Sequence, residues 1–421
     1  MSASATPWGR AASVAPAVPD AERVVVTGLG VVSPLGCDVD RFWHAVTSGT
    51  VATGPVTRFA ADAYPTHLAA EVAAPHLTTP YADDGTLTPR SLRSLRYAEH
   101  AVRDALDASK VLPATDPRRV GLVIGTVMGT RPHLEELRRR GADTATDRRW
   151  DAPALLASRP AERFGLRGPR HVIAAGCAGG NTAIGLAADL ITSGQADCVL
   201  AGGVDELAEA VFQLFTTLRA VEPEVVRPFD RDRRGTMPSE GAGILALESL
   251  AHARARGATV IAELRGHAMA ADAHHMTAPH PAGDALLRCM DESLRRAGLT
   301  PGDVDYVSAH GTGTPVNDAT EAACLAGYFG AAGARPATSS IKGMLGHAQG
   351  AASALEAVAC VLAIARGRVP GNPTLRTVDD RCRDLDLVRG PARDLPVRVA
   401  LSNAFGFGGN TATVVFGAPT D

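Results

Sequence analysis

HVIAAGCAGGNTAIGLAADLI, residues 171–191, passes from an apolar strand into a 3.6-period helix, with Cys177, Gly179 and Gly180 at the joint. A cysteine at such a joint is either a small apolar residue filling a corner or a nucleophile held at a helix N-terminus. The stretch alone permits both. A strand feeding a helix through glycines is the building unit of α/β proteins, and the rest of the chain repeats it.

Strand-like apolar runs stand at RVVVTGLGVVS, VGLVIGTVMG, RHVIAAG, DCVLAGGVD, AGILALES, VIAELRGHAM, VDYVSAHGTG, VRVALSNAFG and ATVVFGA. Helical periodicity runs through LRYAEHAVRDALDAS, NTAIGLAADLITSG, GDALLRCMDESLRRAG and GAASALEAVACVLAIARG. Strands apolar on both faces belong in sheets covered on both sides, so the fold class is α/β. The pattern runs twice, over 23–262 and over 263–418, with no flexible linker between the halves, so the two are expected to pack as one body. Residues 1–22, rich in Ala, Pro and Ser, read as a disordered tail, and 130–160, rich in Arg and Asp, as a surface insertion.

A chain of 421 residues with 45% hydrophobic residues and net charge −3 buries a large core and carries no basic surplus for nucleic acid. The N-terminus is a poor secretory signal, and no run approaches the about 18 apolar residues of a membrane span. Seven cysteines without a C-x-x-C pair argue against a disulfide framework and against zinc, and fit a reducing cytoplasm. Lysine occurs only at Lys110 and Lys342 among 42 basic residues. Where composition runs so strongly to arginine, a retained lysine points to a need for its compact ammonium group.

Three further stretches share the form of the Cys177 joint: SAHGTGTPVNDATEAA (308–323), SSIKGMLGHAQGAASALEA (339–357) and LSNAFGFGGNTATVVF (401–416). Each is a strand end followed by glycine-rich turn chemistry, and strand carboxyl ends are where α/β sites gather. With VVVTGLGVVSPLG, GLRGP, AGGVDE, RPFDRDRRG, EGAGILALE and DAHHMTAP, in this order, they make the chain resemble the thiolase-fold β-ketoacyl synthases, the elongating condensing enzymes of type II fatty-acid and polyketide synthesis. The resemblance covers about residues 22–418.

It implies a thiolase-like, duplicated, five-layered αβαβα fold. It implies Cys177, His310 and His347 as the catalytic triad, with Lys342 beside the first histidine. Asp318 and Glu321 would stand behind His310, and Glu356 behind His347. Cys177 would carry an acyl group, its thiolate favoured by the helix dipole, with the backbone N–H groups of Cys177 and Phe405 as oxyanion hole. His310 and His347, both neutral, would stabilise the enolate formed when a malonyl thioester loses CO2, and Lys342 would orient His310 and disfavour its cation. Thr312 and Thr314 would bind a pantetheine arm; Met128, Thr236, Phe405 and Gly406 would line the substrate pocket, with Phe405 as its gate. No cofactor or metal is implied, since substrates ride on the phosphopantetheine arm of an acyl carrier protein. The implied assembly is a dimer, with itself or with a chain-length-factor-like paralogue, its two-fold interface near the helix after Cys177.

Two departures from the family pattern stand out. CAGGN places Ala178, Gly179 and Gly180 where hydroxyl residues are usual, which loosens the turn. GTMPSEG places Thr236 where a phenylalanine is usual, which makes the extender side roomier and more polar. Alternatives to a condensing enzyme are a non-condensing acyltransferase or thioesterase on the same fold, and a silent chain-length subunit. The retained histidine pair speaks against the first and the retained Cys177 against the second.

Overall fold

The computed structural model describes residues 19–78, 92–139, 141 and 151–420. Among them, eleven strands join in one mixed sheet: β1 (Val24–Val32), β2 (Val120–Gly125), β3 (Arg170–Ile173), β4 (Cys198–Asp205), β5 (Gly241–Ser249), β6 (Ala262–Ala271), β7 (Tyr306–Ser308), β8 (Ala337–Ser339), β9 (Asp386–Leu387), β10 (Val399–Phe405) and β11 (Asn410–Gly417). Their spatial order is β9-β8-β7-β10-β11-β6-β1-β5-β4-β2-β3. Read outward from the centre, β1-β5-β4-β2-β3 and β6-β11-β10-β7-β8 are the same arrangement. In each the first two steps are antiparallel and the last two parallel. The copies meet where Val24–Val26 of β1 pairs with 262–264 of β6.

The helices that matter are α1 (Arg93–Ser109), α2 (Gly179–Thr192), α3 (Glu209–Thr217), α4 (Asp284–Ala297), α5 (Pro315–Ala331) and α6 (Ala352–Arg366). Helices α2 and α6 touch each other and strands of both copies. Helix α1 covers β1 and β5 from outside, and α4 covers β6 and β11. The result is the five-layered thiolase-like α/β architecture: helix, sheet, helix pair, sheet, helix. Strands β1, β2 and β4 are buried at every position, which is why they read as unbroken apolar runs.

Some expectations change. The run Gln349–Arg366 has the length and apolarity of a membrane span, contrary to the sequence reading. It is 83% buried inside the protein, because α6 lies in the central layer and must be apolar all round. Of the proposed tail, residues 1–18 lie outside the described residues, while 19–22 form a turn in which Asp20 pairs with Arg23. The stretch 130–160 is no mere surface insertion: it contains helices Arg131–Arg139 and Leu155–Phe164, the second packed on α1, with 140 and 142–150 outside the described residues. Nor do Gly179 and Gly180 loosen their turn. Both lie in α2, and a Cβ on Gly180 would sit 2.5 Å from the Ala354 nitrogen, so glycine there lets α2 and α6 close on one another.

Candidate active site

Strands β7, β8 and β10 run parallel, so their carboxyl ends open at one edge and deliver His310, Lys342 and Phe405 together. Beyond the end of β3 comes the Cys177 turn. The tips surround a cavity of about 350 Å³ whose wall includes Cys177, His310, His347 and Phe405.

Cys177 lies in a single 3₁₀ turn, Gly176–Ala178, that leads into α2. Gly176 has φ +59, a conformation costly for any residue with a Cβ. The turn sits against the 406–407 peptide: a Cβ on Gly406 would lie 3.0 Å from the Cys177 nitrogen, and one on Gly176 would lie 3.4 Å from the Phe407 nitrogen. Gly406 and the Phe407 peptide, which was not singled out in the sequence, are thus packed against the Cys177 turn, beside the end of β10 that carries Phe405. Burial pushes the Cys177 thiol up to about 12, against the pull of the Lys342 ammonium. Desolvation thus works against the thiolate, and Lys342 works for it.

The two imidazoles stand edge to face, ring centres 5.5 Å apart, and Phe405 packs against His310 at 5.3 Å. Lys342, fully buried, spends its three N–H bonds on the His310 carbonyl (2.8 Å), on His310 Nδ1 (3.3 Å) and on Glu356 Oε1. The ammonium can only donate, so His310 Nδ1 accepts. Likewise the Gln349 backbone N–H donates to His347 Nδ1 at 3.2 Å. Both rings therefore carry their proton on Nε2. Burial, and after it the charge of Lys342, hold both well below the ordinary imidazole range, so they are neutral.

The acidic residues divide their work. Glu321 accepts the N–H groups of His310 and Gly311, each at 2.8 Å, and burial raises it to about 8. Asp318 accepts from Phe229 and Gly313, holding the loop after His310. Glu356 does not stand behind His347 as the sequence reading had it. It bonds Lys342, and so supports His310; its other oxygen meets no partner among the described residues. His347 is held instead through its backbone, by the Met237 carbonyl (2.7 Å) and by Ser239 N–H (3.0 Å).

Thr312, Thr314, Thr236 and Gly406 all line the cavity, and the hydroxyls of Thr312 and Thr314 bond each other at 2.8 Å. Met128 is not on the wall. It packs behind with Val211, Phe215 and Phe407, its N–H bound to Asp205. Three residues escaped the sequence reading: Phe407, Phe215, whose ring centre is 6.3 Å from that of His347, and Gln349. The second Phe of NAFGFGG was a visible signal for the first; no pattern marks the other two. Among the described residues no group of three His, Cys, Asp or Glu is placed to hold a metal.

Family models for the N-terminal and C-terminal domains of β-ketoacyl synthase match residues 21–253 and 261–376. The chain belongs to the β-ketoacyl synthase family. This ketosynthase is 37% identical to a 3-oxoacyl-[acyl-carrier-protein] synthase 2 of Coxiella burnetii, over 93% of this chain and 98% of that one. It is 39% identical to a putative polyketide β-ketoacyl synthase 1 of Streptomyces halstedii, over 94% and 98%. Among solved structures, the ishigamide ketosynthase/chain length factor superposes with TM-score 0.87 at 35% identity, covering 94% of this chain and 99% of that one. A type II polyketide ketosynthase bound to a hexaketide and in complex with its acyl carrier protein gives 0.86 at 31%, with the same coverage. The ketosynthase is thus a condensing enzyme of the acyltransferase class in a type II pathway.

Proposed function

We propose that the protein extends an acyl chain by decarboxylative condensation, with Cys177 as nucleophile and His310 and His347 as the enolate-binding pair. In the first half-reaction the Cys177 sulfur attacks the acyl thioester of a carrier protein. The C–S bond to the pantetheine breaks, and the thiol proton leaves with the departing pantetheine sulfur, so no base is consumed. The oxyanion is met by the N–H groups of Cys177 and Phe407. In the second half-reaction a malonyl thioester places its carbonyl oxygen on the two Nε2–H donors. The carboxyl C–C bond breaks, CO2 departs, and the electron pair passes through the enolate to the acyl carbonyl on Cys177. The new C–C bond then expels the cysteine, whose sulfur regains a proton from water.

The observation that carries this reading is the tautomer of the paired histidines: two neutral rings, each with Nδ1 occupied by a fixed donor, present hydrogen rather than a lone pair. That suits an enolate oxygen and does not suit a base for thiol or water, which speaks against the thioesterase alternative. Carrier-protein substrates, a cytoplasmic setting, and a dimer with itself or a chain-length paralogue complete the proposal. The test is intact-mass analysis after sequential addition of acyl and malonyl carrier proteins. An acyl adduct on Cys177, followed by a carrier-bound product two carbons longer, is expected. Hydrolysis without extension would overturn it.

A further inference from the structure

Strand β4 ends in a carboxylate that the reaction described above does not use. Asp205, in the motif AGGVDE, is wholly buried. Its Oδ1 accepts from the Thr126 hydroxyl (2.7 Å) and from Met128 N–H (2.9 Å), and its Oδ2 from Val127 N–H (2.8 Å) and Gly350 N–H (2.6 Å). None of these donors is charged. A carboxylate buried on such terms is tolerated only where fixed donors replace water, so the charge ties those donors to one another.

Thr126, Val127 and Met128 follow directly on β2. Gly350 belongs elsewhere: it is three residues after His347, in the 3₁₀ turn Gln349–Ala351. The approach of that turn to β4 needs glycine on both sides. A Cβ on Gly350 would lie 2.7 Å from Asp205 Oδ2, and one on Gly203 would lie 2.1 Å from the Gly350 carbonyl oxygen. Between His347 and Gly350, Gln349 has φ +54, a conformation costly for a residue with a Cβ. In that conformation its N–H reaches His347 Nδ1 at 3.2 Å, and its side-chain amide donates to the His347 carbonyl at 3.0 Å. The peptide that joins Gln349 to Gly350 is planar, so the bond from Gly350 N–H to Asp205 fixes the far side of the strained residue.

On the condensing reading above, His347 serves the enolate only with its proton on Nε2. We propose that Asp205 is a positioning residue for His347: by holding the Gly350 N–H it keeps Gln349 in its left-handed turn, and so keeps a donor on Nδ1 and the proton on Nε2. His310 has the same service from Lys342, which Glu356 holds. The two rings are thus set by separate buried carboxylates, one acting through an ammonium group and the other through a backbone turn. No bond to Asp205 is made or broken in the reaction.

The test uses Asp205→Ala, which releases every donor, Asp205→Asn, which keeps the shape but leaves one acceptor oxygen among them, and Thr126→Val, which takes a donor from Oδ1 and leaves Gly350 bonded. CO2 release from malonyl carrier protein is measured at saturating donor. NMR spectra of the substrate-free enzyme, labelled at its histidine nitrogens, show which nitrogen of each ring carries the proton, with His310→Ala and His347→Ala assigning the signals. Asp205→Ala is expected to cut CO2 release about tenfold to a hundredfold, short of the about hundredfold to thousandfold for deleting such a donor outright, since the ring remains. Asp205→Asn should move the same way by a smaller factor, and it carries the test if the alanine variant does not fold. In both, part of His347 should shift its proton to Nδ1, while His310 keeps its own on Nε2. Thr126→Val should stay near the parent in both readouts. Unchanged CO2 release in the folded Asp205 variants, a His347 proton that stays on Nε2, an equal shift in His310, or a Thr126→Val variant as impaired as Asp205→Ala would each overturn the assignment. Because the tautomers are read without substrate, a parent enzyme with the proton on His347 Nε2 that releases no CO2 would instead overturn the condensing reading.

Discussion

Replacing Lys342 by methionine tests the part of the site on which most depends. The side chain is fully buried and its ammonium group makes three bonds. Its loss leaves Glu356 without its counter-ion, and breaking a buried pair from one side costs about 3–5 kcal/mol, a large share of the about 5–15 kcal/mol that holds a typical fold. Glu356 is already raised by burial to about 7 with the lysine beside it, so without the lysine it rises further. A folded value above the ordinary carboxyl range means that the ionisation penalty is absent in acid and grows as pH rises through the folded value. Lys342→Met should therefore melt near the parent at pH 5 and fall progressively behind it above pH 7. Lys342→Met with Glu356→Gln removes the stranded charge and should recover most of that stability. Neither variant restores the donor on His310 Nδ1, so the ring is free to move its proton there and turn a lone pair to the cavity. Malonyl decarboxylation should fall by about two to three powers of ten in both, the size of losing one such donor. Melting curves at pH 5 and 8, read beside CO2 release, check this. A single variant with pH-independent stability loss, or a double variant that regains decarboxylation, would refute the reasoning.

Cys177→Ala should abolish acyl loading at a cost of about 1 kcal/mol in stability, since a small buried side chain becomes a smaller one, as unfolding in urea would show. Gly406→Ala should cut acyl loading strongly while CO2 release persists, because the new Cβ would press on the Cys177 nitrogen and the Ala175 carbonyl; loading at the parent rate would remove the 406–407 peptide from the oxyanion site. Because burial and Lys342 depress both histidines, they stay neutral as pH falls through the usual imidazole range, and CO2 release should be flat from pH 8 to about 6. A decline centred near pH 6.5 in the rate profile would contradict their neutral role.

The nine apolar runs marked nine of the sheet's strands, because strands buried on both faces leave unbroken hydrophobic stretches. Of the other two, β8, with three residues, showed only through its end at SSIKGMLGH, and β9, with two, has too little length for any period to show. Cys177, His310, Lys342 and His347 were legible because each sits in a glycine-marked turn after an apolar run. What joins them was less so. Glu356 follows His347 closely in sequence, yet α6 carries it to Lys342, and only the fold reveals the partner. Phe405 and Phe407 stand in one motif, and only the fold shows the Phe407 peptide packed against the Cys177 turn. Met128 was placed by position in a motif, while its actual place depends on how α3 and the Phe407 turn pack over it.

The most direct test of the account is single-turnover acylation, with an acyl carrier protein alone and no malonyl donor, in His310→Ala and His347→Ala. The account assigns the histidines to the enolate and the cysteine turn to acyl transfer. It predicts near-normal acylation of Cys177 in both variants, with subsequent malonyl decarboxylation down by about two to three powers of ten. Acylation lost in both would contradict it, because the histidines would then be serving as bases for the cysteine.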